Sequence, residues 1–354
     1  MPGRRKREVL PPHDRKSRAA PLWWKPYGNL AASAAIISIR MPARFGAVAL
    51  PLLLSMISAH SAAPSVSRHA ESHAARLERN IEYAHVGGIT LCMDASIPIG
   101  AEKSPSVIIV HGGGWVAGDR RFNVQPLFQP LTDAGFAWFS ISYRLATDVS
   151  QFGAAIGDVQ EAIRFVKSHA GDYHIDPDRI ALIGESAGGQ LAAMAVLRGG
   201  SDTSVKAVVG LYAPSDLVSL AKTSSYIPAS VRDSVRGTPW EGFVLDGLAQ
   251  LSPINSIRAG MPPFLLIHGT ADSMVPFAQS RDMCNRMRQA GGSCELYPVE
   301  GGGHGIRWWQ SSPKLAGAYK HKMVEWLRQE LGDHLGNPGQ GERDFGMMPN
   351  GVPG

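Results

Sequence analysis

Cysteine is scarce. Three in 354 residues, Cys92, Cys284 and Cys294, exclude a disulfide framework and a zinc site of four thiolates. Cys284 falls on a predicted helix and Cys294 opens the next predicted strand. The two could pair in an oxidising compartment, leaving Cys92 free, or be unrelated buried thiols. Internal repeats are absent, which argues against a propeller ahead of the main domain. No basic face interleaved with aromatics is visible, so nucleic acid is not expected as a partner. The net charge of +5 is largely local, because Arg4-Arg5-Lys6-Arg7 and Arg15-Lys16-Ser17-Arg18 lie at the start of the chain. Those runs read as a solvated tail.

What is present suits one large α/β domain of about 250 residues plus tails, or two small ones; the chain is 44% hydrophobic and 18% charged. Residues 1–40 read as a basic, disordered extension rich in Arg, Pro and Ala. Met41 to Phe45 looks like a basic n-region. Gly46 to Ile57 is apolar but short for a bilayer span, and Ser58 to Ala63 supplies small residues for cleavage. A signal peptide for export is favoured over a membrane anchor, with Met41 as a possible true start. Residues 64–79 read as a linker or first helix, and 332–354 as a Gly/Pro-rich disordered tail.

Between them, from 80 to 331, strand and helix patterns alternate. Val107–Val110 and Pro263–His268 are continuous apolar runs, as in strands covered on both faces. Gly153 to Ser168 has helical periodicity, and Asp176-Pro177-Asp178 reads as a turn. This rhythm predicts a mostly parallel central sheet with helices on both faces. Residues 215–260 break it, being polar with scattered Pro and Gly, and read as a small cap insertion.

The chain is organised around Gly184-Glu185-Ser186-Ala187-Gly188, a G-x-S-x-G pentapeptide between an apolar run and a helix-like stretch. A strand that turns sharply into a helix lifts one hydroxyl above the sheet, and the flanking glycines let backbone pass close by. A serine hydroxyl needs a base, and the base needs an orienting acid. Both follow in order at later strand ends: Asp272 after the strand ending His268-Gly269, and His304 within Gly301-Gly302-Gly303-His304-Gly305. Asp216 and Asp246 are fallback acids. His111-Gly112-Gly113-Gly114-Trp115 directly follows a strand. Its amides, with that of Ala187, suit a developing oxyanion, each donor being worth about 3 kcal/mol of barrier. A phosphate loop would end in Lys-Ser/Thr, which is missing. His111 has no second histidine at ligand spacing and reads as structural. No metal or cofactor is expected.

His111 to Asp119, Tyr143-Arg144-Leu145-Ala146, Asp176 to Ile180, Gly184 to Gly189, His268 to Asp272 and Gly303-His304-Gly305 together resemble the α/β-hydrolase esterases of the hormone-sensitive-lipase-like clan. The nearest part of that clan is its bacterial branch, often labelled feruloyl or acetyl-xylan esterase-like. The likeness covers about residues 80–331. It implies an α/β-hydrolase fold, Ser186 as nucleophile, His304 as base and Asp272 as acid. It also implies Gly112, Gly113, Gly114 and Ala187 around the oxyanion, and a small-molecule ester as substrate. Trp115 and Tyr143 are candidates for the substrate pocket. Two departures stand out: Thr147-Asp148 where many relatives have Pro-Glu, and Glu185 where relatives often carry Asp. The rival readings are a prolyl-oligopeptidase-type peptidase, which shares the triad order, and a hydrolase fold used only for binding. Oligomeric state is not readable.

Overall fold

The computed structural model describes residues 74–101, 103–147, 151–224, 233 and 236–332. All lie in one compact unit of the chain, Ser67–Gly354. The extension expected at 1–40, the signal or anchor at 41–63, Asp148 and the tail beyond Gly332 lie outside the described residues. Among the described residues no helix is long and apolar enough to cross a membrane.

Eight strands form one sheet in the order β1-β2-β4-β3-β5-β6-β7-β8. β1 (Ala75–Val86) and β2 (Ile89–Pro98) make an antiparallel hairpin. Gly87 and Gly88 both have positive φ at its turn, the requirement of a tight two-residue loop. β2 also runs antiparallel to β4 (Ala137–Ile141). β3 (Ser104–Val110), β5 (Ile175–Glu185), β6 (Ala207–Leu211), β7 (Phe264–Gly269) and β8 (Cys294–Val299) continue it in parallel with β4. The α/β-hydrolase architecture expected from the alternating pattern is therefore present, with its parallel strands in the centre.

The apolar runs follow from burial on both faces. Along β3, Ile108 and Val110 enter one core cluster while Val107 and Ile109 enter the other. Successive side chains on a strand point to opposite faces, so both must be apolar where helices cover both. One face is closed by α2 (Phe152–Ser168), α3 (Ala187–Leu197) and α6 (Ala278–Gln289). The other is closed by α1 (Gln125–Asp133) and α8 (Pro313–Leu331). α3 is buried along its whole length, which is why it is apolar all round rather than amphipathic. α8 starts with a Ser312 side chain accepting from the Leu315 amide and Pro313 in its first turn.

Two expectations are corrected. β1 begins at Ala75, inside the stretch read as a linker or helix to residue 79. An edge strand need bury only part of one face, so its polar residues imitate a linker. The turn at Asp176–Asp178 lies within β5 rather than before it. Asp176 Oδ1 accepts from the Asp178 amide, and the pairing with β3 jumps from Ser104–Ile175 to Ser106–Ile180. The extra residues on β5 form a bulge.

The segment 215–260 contains α4 (Leu217–Thr223), α5 (Glu241–Gln250) and a turn of 3₁₀ helix, Pro253–Ser256. No residue of α5 is fully buried, and Trp240 and Phe243 are exposed. A short helix, α7 (Ile306–Trp309), precedes α8.

Cys284 and Cys294 form a disulfide from α6 to the start of β8, ten residues apart in sequence, and Cys92 is free. Closing so short a loop stabilises by about 2–3 kcal/mol. Guanidinium unfolding of the oxidised chain should show that loss in the double variant Cys284→Ala/Cys294→Ala, at unchanged slope. A parent chain whose stability ignores reductant would contradict the bond.

Candidate active site

The pentapeptide sits where β5 ends and α3 begins. Ser186 has φ 52 and ψ −118, a backbone conformation that L residues rarely adopt. Packing on both sides enforces it. A Cβ on Gly184 would lie 2.4 Å from the Gly188 carbonyl oxygen, and one on Gly188 would lie 2.2 Å from that of Val110. The Ser186 amide donates to the Leu211 carbonyl. The hydroxyl is thus held at the carboxyl edge of the sheet, at the head of a helix.

Three loops bring the rest. Ser186 Oγ lies 2.9 Å from His304 Nε2, and His304 Nδ1 lies 2.7 Å from Asp272 Oδ2. The three side chains picked out at successive strand ends therefore meet in one hydrogen-bonded line. The order of contacts has Nδ1 of His304 donating to the carboxylate, leaving Nε2 to face the hydroxyl. Asp272 is buried. Its Oδ1 accepts from the amides of Met274 and Val275, so the same residue also fastens its own turn. Burial pushes its carboxyl up, but hydrogen bonds from His268, His304 and the Val275 amide outweigh that and hold it well below the usual range. It stays ionised beside the imidazole. His268, fully buried, contacts Ser280 Oγ at 2.7 Å and the Val275 carbonyl at 2.8 Å.

The fallback acids play other parts. Asp216 caps α4, accepting from the Ser219 amide. Asp246 is exposed on α5.

The glycine loop follows β3. Gly113 and Gly114 have φ 122 and 60. A Cβ on Gly113 would lie 2.0 Å from the Ala117 carbonyl oxygen, so the loop closes tightly on itself. One expected donor is corrected. The Gly112 amide donates to Glu185 Oε2 at 2.7 Å and is spent inside the protein. Of the four residues expected around an oxyanion, Gly113, Gly114 and Ala187 remain. His111 is buried, stacks on Tyr143 with ring centroids 4.3 Å apart, and its Nδ1 contacts the Gly112 carbonyl at 2.7 Å. Burial pushes its imidazole down to about 4, so it is neutral at pH 7. Among the described residues no group of three or more His, Cys, Asp or Glu could hold a metal ion.

The two pocket candidates divide. Tyr143 is buried, and its hydroxyl donates to the His111 carbonyl at 3.0 Å. It supports the glycine loop from beneath and does not line a pocket, a correction to its expected role. Trp115 is only partly buried, has φ 65, and donates from Nε1 to Gln190 Oε1 at 2.9 Å. Its ring packs against the core cluster that contains the α3 side chains.

Several residues of the site had no role assigned to them from sequence. Glu185 is buried, with Oε1 accepting from the Tyr212 hydroxyl and Oε2 from Gly112. Burial pushes its carboxyl up, against the pull of those two hydrogen bonds. Tyr212 meets the His304 ring edge-on at 4.7 Å. Arg144 grips the buried Asp158 of α2 through Nε and Nη2, fixing the chain after β4. Asp94 on β2 accepts from Arg120 and Arg121, which follow the glycine loop, and from the Asn80 amide. A lone Asp on a strand and a pair of arginines 26 and 27 residues away in a loop give no sequence signal of meeting.

The match to a known family covers the glycine loop, Ser186 and Asp272 and ends before His304. The family model BD-FAE matches residues 93–287, more than half of the chain. The chain belongs to the BD-FAE family. Of individual relatives, Esterase LipC of Mycobacterium tuberculosis is 33% identical over 223 residues, 58% of this chain and 54% of that protein. Probable carboxylic ester hydrolase LipM of the same organism is 32% identical over 198 residues, 52% and 45% respectively. The chain spans about half the length of these curated relatives. Among solved structures, the thermophilic esterase Est2 of Thermogutta terrifontis superposes with a TM-score of 0.60 at 25% identity, over 77% of this chain and 96% of its own.

One electrostatic consequence of the BD-FAE scaffold is measurable. Burial pushes the Asp94 carboxyl up, but hydrogen bonds from Arg121, Asn80 and Arg120 prevail and hold it at about 2. A group depressed in the folded state stabilises above its unfolded value and loses that contribution as pH falls through the folded one. Asp94→Asn should lower the melting temperature at neutral pH, and the gap to the parent should shrink as pH drops from about 4 towards 2. A gap constant down to pH 2 would contradict the ion cluster.

Proposed function

We propose that the chain hydrolyses carboxylic esters through an acyl-enzyme formed on Ser186. The observation that carries this is the line Ser186–His304–Asp272, with contacts of 2.9 and 2.7 Å, beside the amides of Gly113, Gly114 and Ala187. His304 Nε2 takes the proton as Ser186 Oγ bonds to the ester carbonyl carbon, and the carbonyl oxygen becomes an oxyanion facing those amides. His304 then gives its proton to the departing alcohol, leaving the acyl group on Oγ. Water, deprotonated by the same imidazole, attacks the acyl carbon. The acid leaves, and the proton returns to Ser186. Asp272 keeps the imidazole turned and stabilises its cation.

The relatives support the reading. LipM and LipC carry names of ester hydrolases. Est2 has been solved with propionate and with butyrate bound, and phosphonylated by sarin. Short acyl groups are accordingly the first class to try, with feruloyl and acetylated-sugar esters next on the resemblance to that branch of the clan. A purely binding role is disfavoured by a hydroxyl, imidazole and carboxylate already in hydrogen-bonded order.

Ser186→Ala should fold as the parent does and lose turnover of a short-chain aryl ester by about 10⁴-fold or more. A fluorophosphonate should label the parent at Ser186 and leave the variant unlabelled. Full activity in Ser186→Ala would refute the assignment.

Export is also proposed, supported by the Cys284–Cys294 bond, which persists in oxidising compartments. N-terminal sequencing of the protein from fractionated cells should find a start near residue 64, outside the cytoplasm. An intact N-terminus in the membrane fraction would instead favour an anchor.

A further inference from the structure

We propose that Glu185 is a positioning residue that ties the oxyanion loop to the loop carrying the general base. The inference rests on the serine-hydrolase reading above and concerns how its parts are held in register.

Glu185 sits between the two loops with no role of its own in proton transfer. Its Oε2 accepts from the Gly112 amide at 2.7 Å, on the oxyanion side. Its Oε1 accepts from the Tyr212 hydroxyl at 2.9 Å. That phenol oxygen in turn accepts from the Ile306 amide at 2.8 Å, two residues beyond His304. The Tyr212 ring also braces the imidazole edge-on at 4.7 Å. One carboxylate therefore sets both the height of the glycine loop and the distance of the base loop. The fit is close: a Cβ on Gly112 would lie 2.4 Å from Oε2. The site is also over-determined at Tyr212, whose φ of 40 puts a bulky aromatic in a rarely populated conformation.

Both oxygens of Glu185 act as acceptors, and that defines the test. In Glu185→Gln one oxygen becomes an amide nitrogen that can only donate. Turned towards Gly112, it opposes an N–H. Turned towards Tyr212, it makes the phenol accept twice and strands the phenol proton. Either orientation breaks one link while conserving volume. Displacing an oxyanion donor or the base by a fraction of an ångström falls on the transition state more than on substrate binding.

Steady-state kinetics on a short-chain aryl ester, with a trifluoromethyl ketone as tetrahedral mimic, reads the effect. Glu185→Gln should lose about tenfold or more in kcat with KM within about threefold. The ketone's inhibition constant should rise by the same factor, because the ketone samples the oxyanion geometry. Tyr212→Phe, which keeps the ring and removes only the shared oxygen, should lose about threefold or more in kcat. The double variant should lose no more than Glu185→Gln alone, since both cut one chain of contacts. If Glu185→Gln does not fold, Tyr212→Phe decides. Folded variants with kcat within twofold of the parent, a loss lodged in KM, or a ketone affinity that does not follow kcat would overturn the proposal. A parent chain that neither turns over the ester nor takes the fluorophosphonate would overturn the serine-hydrolase reading, and this inference with it.

Discussion

Ser186 is held in a backbone conformation worth roughly 1–3 kcal/mol of strain, and the rest of the site depends on that single turn. At φ 52 the residue cannot relax into strand or helix without moving one of its neighbours. Those neighbours are backbone. The Gly184 Cα hydrogen that would become a Cβ points at Gly188, and that of Gly188 at the carbonyls of Val110 and His111. So the end of β5, the start of α3 and the end of β3 are pressed together with no side chains between them. The pressure fixes the nucleophile and the glycine loop relative to each other, because the same Gly188 touches both.

That contact also explains why α3 is so uniformly apolar. A helix that begins over the sheet's edge and runs back across its centre cannot present a wet face. Its length is covered by α2 on one side and by the 3₁₀ turn at Pro253 on another. The strain is offset by this burial, tens of residues wide, rather than by anything local. The charged groups are treated the same way. Asp272 is buried but met by two backbone amides and two imidazoles; Glu185 is buried and met by an amide and a phenol. Buried carboxylates survive when each oxygen has a donor. Here those donors belong to the loops that must be held still.

How far the sequence was readable follows from which forces act locally. The central strands declared themselves, because burial on both faces leaves no polar positions along Val107–Val110 or Phe264–Ile267. Ser186, Asp272 and His304 were legible as a group because each follows such a strand, and the glycines around Ser186 and His304 are the mark of close backbone approach. The start of β1, residues 75–79, was not legible: half of an edge strand faces water and reads like a linker. Gly112 was assigned as an oxyanion donor because a run of three glycines looks uniform in sequence, whereas a carboxylate seventy-three residues away takes the first amide. Tyr143 failed for a related reason. An aromatic beside a loop reads as pocket wall until its hydroxyl is seen holding the His111 carbonyl. Pairings such as Glu185 with Tyr212, or Asp94 with Arg120 and Arg121, are long-range, and no spacing rule predicts them.

The segment between β6 and β7 obeys a different economy. α4 is short and capped, α5 has no fully buried residue, and Trp240 and Phe243 stand in solvent. Few apolar contacts hold α5, so its local opening lies at the low end of the stability range. No residue of α5 takes part in the hydrogen bonds of Ser186, Asp272 or Glu185, whereas Tyr212, at the head of the segment, does. The Ser186 turn is locked by close backbone contacts at Gly184 and Gly188, while no residue of α5 is fully buried. A fold divided in this way can keep one reaction while changing what enters the site.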